Sequence, residues 1–156
     1  MTPAQLTTLN ALATADQTAL GYIDTADDQS LADWLNTVDA SFYVYRSVLT
    51  PAMARSAIIQ GATQLDGLTV GKRDSLFYLA SGDLAVSKAG VRAALDDLCG
   101  TMNQLKGYIQ EACKRTATRA EKALVTSGIG SNASPAVLLG YEGKLSAADA
   151  SQVRVA

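Results

Sequence analysis

The feature that most constrains the fold is the stretch 101–127, TMNQLKGYIQEACKRTATRAEKALVTS, which contains no proline and keeps a helical hydrophobic period. Apolar side chains recur along it at helical spacing from Met102 to Leu124, which predicts one long helix with a buried face. Such a face must pack against other elements to be stable in water. We therefore expect the rest of the chain to form a bundle around this helix.

The remaining helices are predicted from start and stop residues. The Thr-Pro pairs at 2–3 and 50–51 are typical helix starts, because threonine caps exposed amide groups and proline fits the first turn. Further predicted caps are Asp27 or Asp28 and Ser87, and predicted ends are Gly21 and Gly100. With 156 residues, of which 48% are hydrophobic, the chain is predicted to be mostly α, a single-domain helical bundle.

Two segments are predicted to be strands. Residues 41–49, SFYVYRSVL, alternate with a period of two and are rich in β-branched and aromatic side chains. Residues 135–143, PAVLLGYEG, would place Val137, Leu139 and Tyr141 on one side of a second strand. Pairing the two would give a small two-stranded β ribbon, which must lie against helices or a neighbouring subunit to be stable.

The composition changes after Ser127, because GIGSNASP is small, polar and glycine-rich. The predicted organisation is therefore a helical domain over residues 1–127, which includes the strand 41–49, followed by residues 128–156 as a loop, a strand and an extended C-terminal arm. Ser146 followed by Asp149 predicts one last short helix in this segment.

Three basic residues, Arg115, Arg119 and Lys122, are spaced by four and three positions and would form one stripe on the long helix. The stripe has three interpretations: a solvated face partly neutralised by Glu111 and Glu121, a contact for an acidic protein, or a contact for a nucleic-acid backbone. The formal net charge of −2 argues against a protein whose affinity comes mainly from neutralising phosphates.

The residue types present argue against catalysis. The chain has no histidine, which is the commonest proton shuttle near neutral pH and the commonest zinc ligand. The adjacent acids Asp96 and Asp97 would point about 100 degrees apart on a helix and could not converge on a substrate. We expect no enzyme activity, no metal and no cofactor. Cys99 and Cys113 are predicted to be free core residues, and Trp34 is more typical of a core anchor than of a ligand pocket.

The N-terminus lacks the pattern of a secretory signal, and no uninterrupted apolar span of about 18 residues occurs. We expect a soluble protein made in a cytoplasm, with no membrane partner.

Four segments carry a family resemblance: TPAQLTTLNA near the N-terminus, WLN leading into FYVYRS, RTATRAEK, and the closing GYEGKLSAADASQVR. Together they resemble a family of small virion proteins of tailed bacteriophages, from the module that builds the head and tail. Tyr45 and Ser47 stand where that family usually has tryptophan and threonine, and both differences are conservative.

The resemblance implies a structural protein of the virion, located in the neck or tail and assembled in the host bacterial cytoplasm. Within that set, a small helical chain with a C-terminal arm resembles a head-to-tail adaptor, or connector. Adaptors form a homo-oligomeric ring, typically a dodecamer, which binds the portal protein above and a tail or nozzle protein below and surrounds passing DNA. The candidate partner-binding residues are Arg115, Arg119, Lys122, Val137, Leu139, Tyr141 and Arg154.

Two alternatives stay open at this point. A head-closure or tail-completion (terminator) protein belongs to the same particle but would associate with tails. A soluble helical regulatory protein belongs to a different class.

Overall fold

The computed structural model describes residues 1–138 and 141–156, with the backbone alone at residues 126 and 138. The described chain is mostly helical with small two-stranded sheets, which confirms the predicted fold class. Two compact units can be distinguished within it. Unit 1 comprises residues 1–44 and 116–156, and unit 2 comprises residues 45–115.

The elements follow one another in chain order. They are α1 (Pro3–Thr14), α2 (Gln17–Asp24), α3 (Asp28–Leu35), β1 (Val38–Tyr45), α4 (Pro51–Gln60), a 3₁₀ helix (Ala62–Gly67), α5 (Val70–Leu79), α6 (Ala89–Cys99), α7 (Asn103–Ala112), β2 (Lys114–Thr118), α8 (Arg119–Ala123), β3 (Val125–Ser127), β4 (Val137–Leu138) and α9 (Ala147–Arg154).

The first helices of unit 1 begin at capped residues. Thr2 caps α1, as the Thr-Pro pair predicts, and it does so in a reciprocal capping box with Gln5. The side chains of Asp16 and Asp27 accept amide hydrogen bonds at the starts of α2 and α3. Gly21 lies inside α2, so the predicted helix end there is wrong. A glycine costs a helix about 1 kcal/mol, which weakens the helix without ending it.

The core of unit 1 is formed by residues from both ends of the chain. Leu9 of α1 and Leu31 of α3 pack in one cluster with Leu145, Ala150 and Val153 of the C-terminal segment. Residues 141–156 therefore do not extend away as an arm. Three apolar side chains in this short segment favour burial over exposure to water, by about 25 cal/mol for each Å² that is covered.

Polar contacts fasten the same segment. The Asn36 side chain donates to the carbonyl of Leu145 and accepts from its amide, both at 2.8 Å. Arg154 donates from Nε to Asp28 Oδ1 at 2.8 Å. This hydrogen bond holds the pKa of Asp28 below its ordinary value. The predicted last helix is confirmed as α9, with a capping box formed by Ser146 and Asp149.

Strand β1 starts three residues and ends four residues earlier than predicted, and it pairs with β2. Arg119 N–H donates to Thr37 O and Arg46 N–H to Cys113 O, so the pairing is antiparallel. The predicted pairing of this strand with residues 135–143 is therefore wrong. Ala136 forms a single bridge to β1 and donates to Tyr43 O at 2.9 Å, while β4 pairs with β3.

The long helix predicted for residues 101–127 is interrupted. Helix α7 ends at Ala112, and residues 114–118 form β2 before α8 begins. The β-branched residues Thr116 and Thr118 favour an extended backbone, and Thr118 caps α8 through a capping box with Glu121. The apolar positions are still buried, but in three separate clusters. The helical spacing of these positions therefore wrongly predicted one continuous helix.

Unit 2 packs α4, α5, α6 and α7 around its own apolar cluster, which contains Ile58, Leu76, Leu95, Leu105 and Ile109. The threonine cap predicted for α4 is confirmed. Ser87 does not cap α6, which begins after Lys88 without a side-chain cap. Gly100 ends α6 with φ of 55°, as predicted, and Cys99 and Cys113 are free and buried.

Val153→Ala tests whether α9 belongs to the core of unit 1. The substitution removes two methyl groups from a fully buried site, so we expect the free energy of unfolding to fall by about 2 kcal/mol. Urea denaturation would measure the loss. Val155→Ala, at an exposed position two residues later, is the matched control and should leave the midpoint unchanged. Equal effects of the two variants would contradict the packing of α9.

Asp28→Asn tests the ion pair with Arg154. Because the pKa of Asp28 is lowered in the folded protein, its contribution is present above the unfolded pKa, about 4, and is lost as pH falls through the folded pKa. We expect the wild-type protein to lose more stability than the variant between pH 5 and pH 2. Urea unfolding across this range, with Asp24→Asn as the control, measures the difference in slope.

Candidate functional site

The start of α8 carries two of the predicted site residues, Arg119 and Lys122. Thr118 accepts a hydrogen bond from Glu121 N–H, and the carboxylate of Glu121 accepts from Thr118 N–H. This capping box fixes the first turn, and three-residue spacing then places Arg119 and Lys122 on one side of the helix. Arg119 N–H also donates to Thr37 O at 2.9 Å, which holds α8 beside the end of α3.

Arg119 lies over the ring of Trp34, with 4.6 Å between the guanidinium carbon and the ring centroid. Trp34 is half-buried at the end of α3 and packs on the core of unit 1, so it is both a core anchor and one wall of a groove. Across the part of the chain that the structure describes, no oxygen atom accepts a hydrogen bond from the Arg119 guanidinium. The stacked cation therefore keeps its donors available for a ligand.

Lys122 differs from Arg119 because its charge is already paired. Its Nζ lies 2.7 Å from Asp39 Oδ2 and 5.3 Å from the centroid of the Phe42 ring. The hydrogen bond from Lys122, together with those from the hydroxyl and amide of Ser41, lowers the pKa of Asp39. Asp39 therefore stays ionised, and the pair adds little net charge to the site.

The groove beside Arg119 contains about 940 Å³ of empty space, part of which is open to solvent. Its lining residues are Leu12, Ala15, Asp16, Trp34, Asp39, Arg119, Lys122 and Ala123. The Asp16 carboxylate accepts from the amides of Thr18 and Ala19 at the start of α2, where the helix dipole favours negative charge. An apolar wall beside an available guanidinium suits a ligand that carries a carboxylate next to apolar groups, such as an acidic peptide segment.

The three basic residues do not form one helical stripe. Arg115 lies on β2, whereas Arg119 and Lys122 lie on α8. Glu121, predicted to neutralise the exposed face, is only 1% exposed and bonds the amides of Thr118 and Gly143 instead. The prediction missed this role because a buried and an exposed glutamate look alike in sequence; the T-x-x-E capping pattern was the available signal.

The C-terminal candidates take different places. Arg154 is bonded to Asp28, and Val137 is half-buried in β4. Leu139 lies outside the described residues. Tyr141 packs against the core of unit 1, and burial, followed by the charges of Asp149 and Glu121, raises its pKa to about 12.

Within the described residues, no group of three side chains that could bind a metal ion lies together. The same residues contain no helix long and apolar enough to cross a bilayer. Comparison of the chain with protein-family models, with curated proteins and with solved structures finds no match.

Tyr141→Phe tests the state of the tyrosine hydroxyl, which is buried and has no hydrogen-bond partner among the described residues. Removing an unsatisfied polar group relieves its desolvation cost, so we expect the free energy of unfolding to stay the same or rise by about 1 kcal/mol. Thermal and urea unfolding measure the change, with the exposed Tyr78→Phe as control. A loss of more than about 1 kcal/mol, specific to Tyr141, would contradict this expectation.

Proposed function

We propose that this chain is a structural protein of a tailed-bacteriophage virion and acts as the head-to-tail adaptor, in a ring between portal and tail. The observation that carries the proposal is where three of the four segments of the family resemblance lie. Asn36 of WLN bonds Leu145 of the closing segment, and Arg119 of RTATRAEK stacks on Trp34 of WLN. WLN and RTATRAEK thus both contribute residues to one groove in unit 1, and the closing segment is bonded to WLN.

The proposed portal contact is this groove. Helix α9 is packed in the core, so binding through a free C-terminal arm would require that core to open. Arg119 needs no such change, because its guanidinium is stacked and available. We assign it an acidic segment of the portal protein, whose carboxylate would accept two hydrogen bonds from the planar fork.

The charge distribution is compatible with a DNA passage. The net charge is −2, and Lys122 is paired with Asp39, so a ring of such subunits would bind passing DNA weakly. In the proposed arrangement DNA slides through the ring, and the tail or nozzle protein binds the opposite side.

Arg119→Gln tests the portal contact. The variant keeps an aliphatic stem over Trp34 but loses the charge, so we expect its affinity for the purified portal protein of the same phage to fall about tenfold or more. Native mass spectrometry and titration measure bound subunits and affinity. Lys144→Gln removes an exposed cation elsewhere in unit 1 and should bind like the wild type. Equal binding by both variants would exclude the groove as the portal contact.

The position of the chain in purified phage particles tests the adaptor role itself. We expect it at the neck, retained on filled heads that lack tails. Retention on isolated tails would favour the head-closure or tail-completion alternative. Absence from particles, with the chain free in the infected cell, would favour the helical regulator.

A further inference from the structure

Helix α5 in unit 2 has an apolar face that the described chain leaves uncovered. Val70 is 64% exposed, Phe77 46% and Tyr78 79%, while Leu76 on the opposite side is buried in the core. Asp74 lies within the same outward face, four residues from both Val70 and Tyr78. Large aromatic side chains are enriched at protein interfaces and are costly to leave in water.

Helix α4 of the same unit has a second outward face of similar construction. Ile59 is 72% exposed, and Arg55 lies one helical turn before it on the same side. Met53 is also exposed, and the inward face of α4 is occupied by Ala54, Ala57 and Ile58. The two faces therefore each combine a charge with an apolar side chain.

The charges on the two faces are opposite, and neither is paired within the residues that the structure describes. Neighbouring cations of α5 are already engaged, because Lys72 pairs with Asp97 and Arg73 with Asp66. Across residues 1–138 and 141–156, neither Asp74 nor Arg55 has an ion-pair or hydrogen-bond partner through its side chain. The complementary group that each lacks is present on the other helix.

The spacing between the charged and the apolar residue is the same on the two helices. Arg55 precedes Ile59 by four residues, and Asp74 precedes Tyr78 by four, which is about 6 Å along either helix. If α4 of one molecule lies parallel to α5 of another, Arg55 meets Asp74 while Ile59 meets Tyr78. The antiparallel arrangement would place each charge against an apolar side chain.

We propose that the α5 face binds the α4 face of a second copy of this chain. The contact joins two different surfaces, so a bound pair still offers one free face of each kind, and repeated association gives a closed ring or an open chain. The closed ring, as opposed to an open chain, rests on the proposed adaptor function; the contact itself rests on the two faces.

Sedimentation velocity of the full chain, from micromolar to millimolar concentration, tests this contact. We expect concentration-dependent association in the wild type. Arg55→Asp or Asp74→Arg alone should weaken association about tenfold, because each places like charges opposite one another. The double variant Arg55→Asp with Asp74→Arg should recover it to within about threefold, since the pair is restored with reversed sign. Asp83→Arg makes the same charge change at an exposed turn and should have no effect.

Recovery of association in the double variant, but in neither single variant, would establish the contact. Circular dichroism would confirm that each variant is folded. A wild type that stays monomeric at every concentration, or single variants that associate like the wild type, would overturn it. Failure of the adaptor proposal would be seen in the experiment on purified particles, as absence of the chain from the neck. Self-association through other faces by a chain that is found in the neck would overturn only the contact.

Discussion

The carboxylate of Glu121 is the interaction on which unit 1 depends. A buried charge is stable only when it is paired or fully hydrogen-bonded, and this one is 1% exposed. It accepts from Thr118 N–H at 2.9 Å and from Gly143 N–H at 3.0 Å. The first bond begins α8, and the second holds the segment that leads into α9. One side chain thus joins the middle of the sequence to its C-terminus.

The groove follows from the same constraint. Because Thr118 and Glu121 determine where α8 begins, Arg119 lies beside the end of α3 and reaches the ring of Trp34. One turn later, Lys122 reaches Asp39 at the start of β1. Two cations only three residues apart therefore have different chemistry. One is neutralised by an aspartate, and the other is stacked, with its hydrogen-bond donors available.

Several local features whose interacting groups lie within one helical turn were predicted correctly, although the helix end at Gly21 and the Ser87 cap were not. The Thr2 cap and the helix end at Gly100 are of this kind, since each depends on neighbouring residues alone. Hydrophobic periodicity was less reliable. Cys113, Ala117 and Ala120 fit one helical face, yet they are buried in three different clusters. Burial at a position does not specify which element covers it.

The sequence by itself determined the mostly helical class, the starts of α1, α4 and α9, and the existence of a strand near residues 41–45. Propensity and capping decide these features, and both act over a few residues. Only the tertiary structure decided that β1 pairs with β2 and that α9 lies in the core. It also decided that Lys122 of α8 has a carboxylate partner whereas Arg119 has none within the described chain. These outcomes depend on contacts between residues up to 144 positions apart, such as Asn10 with Val153 and Arg154. Over residues 114–118 these contacts agree with the extended backbone that Thr116 and Thr118 favour, against the hydrophobic period that predicted a helix.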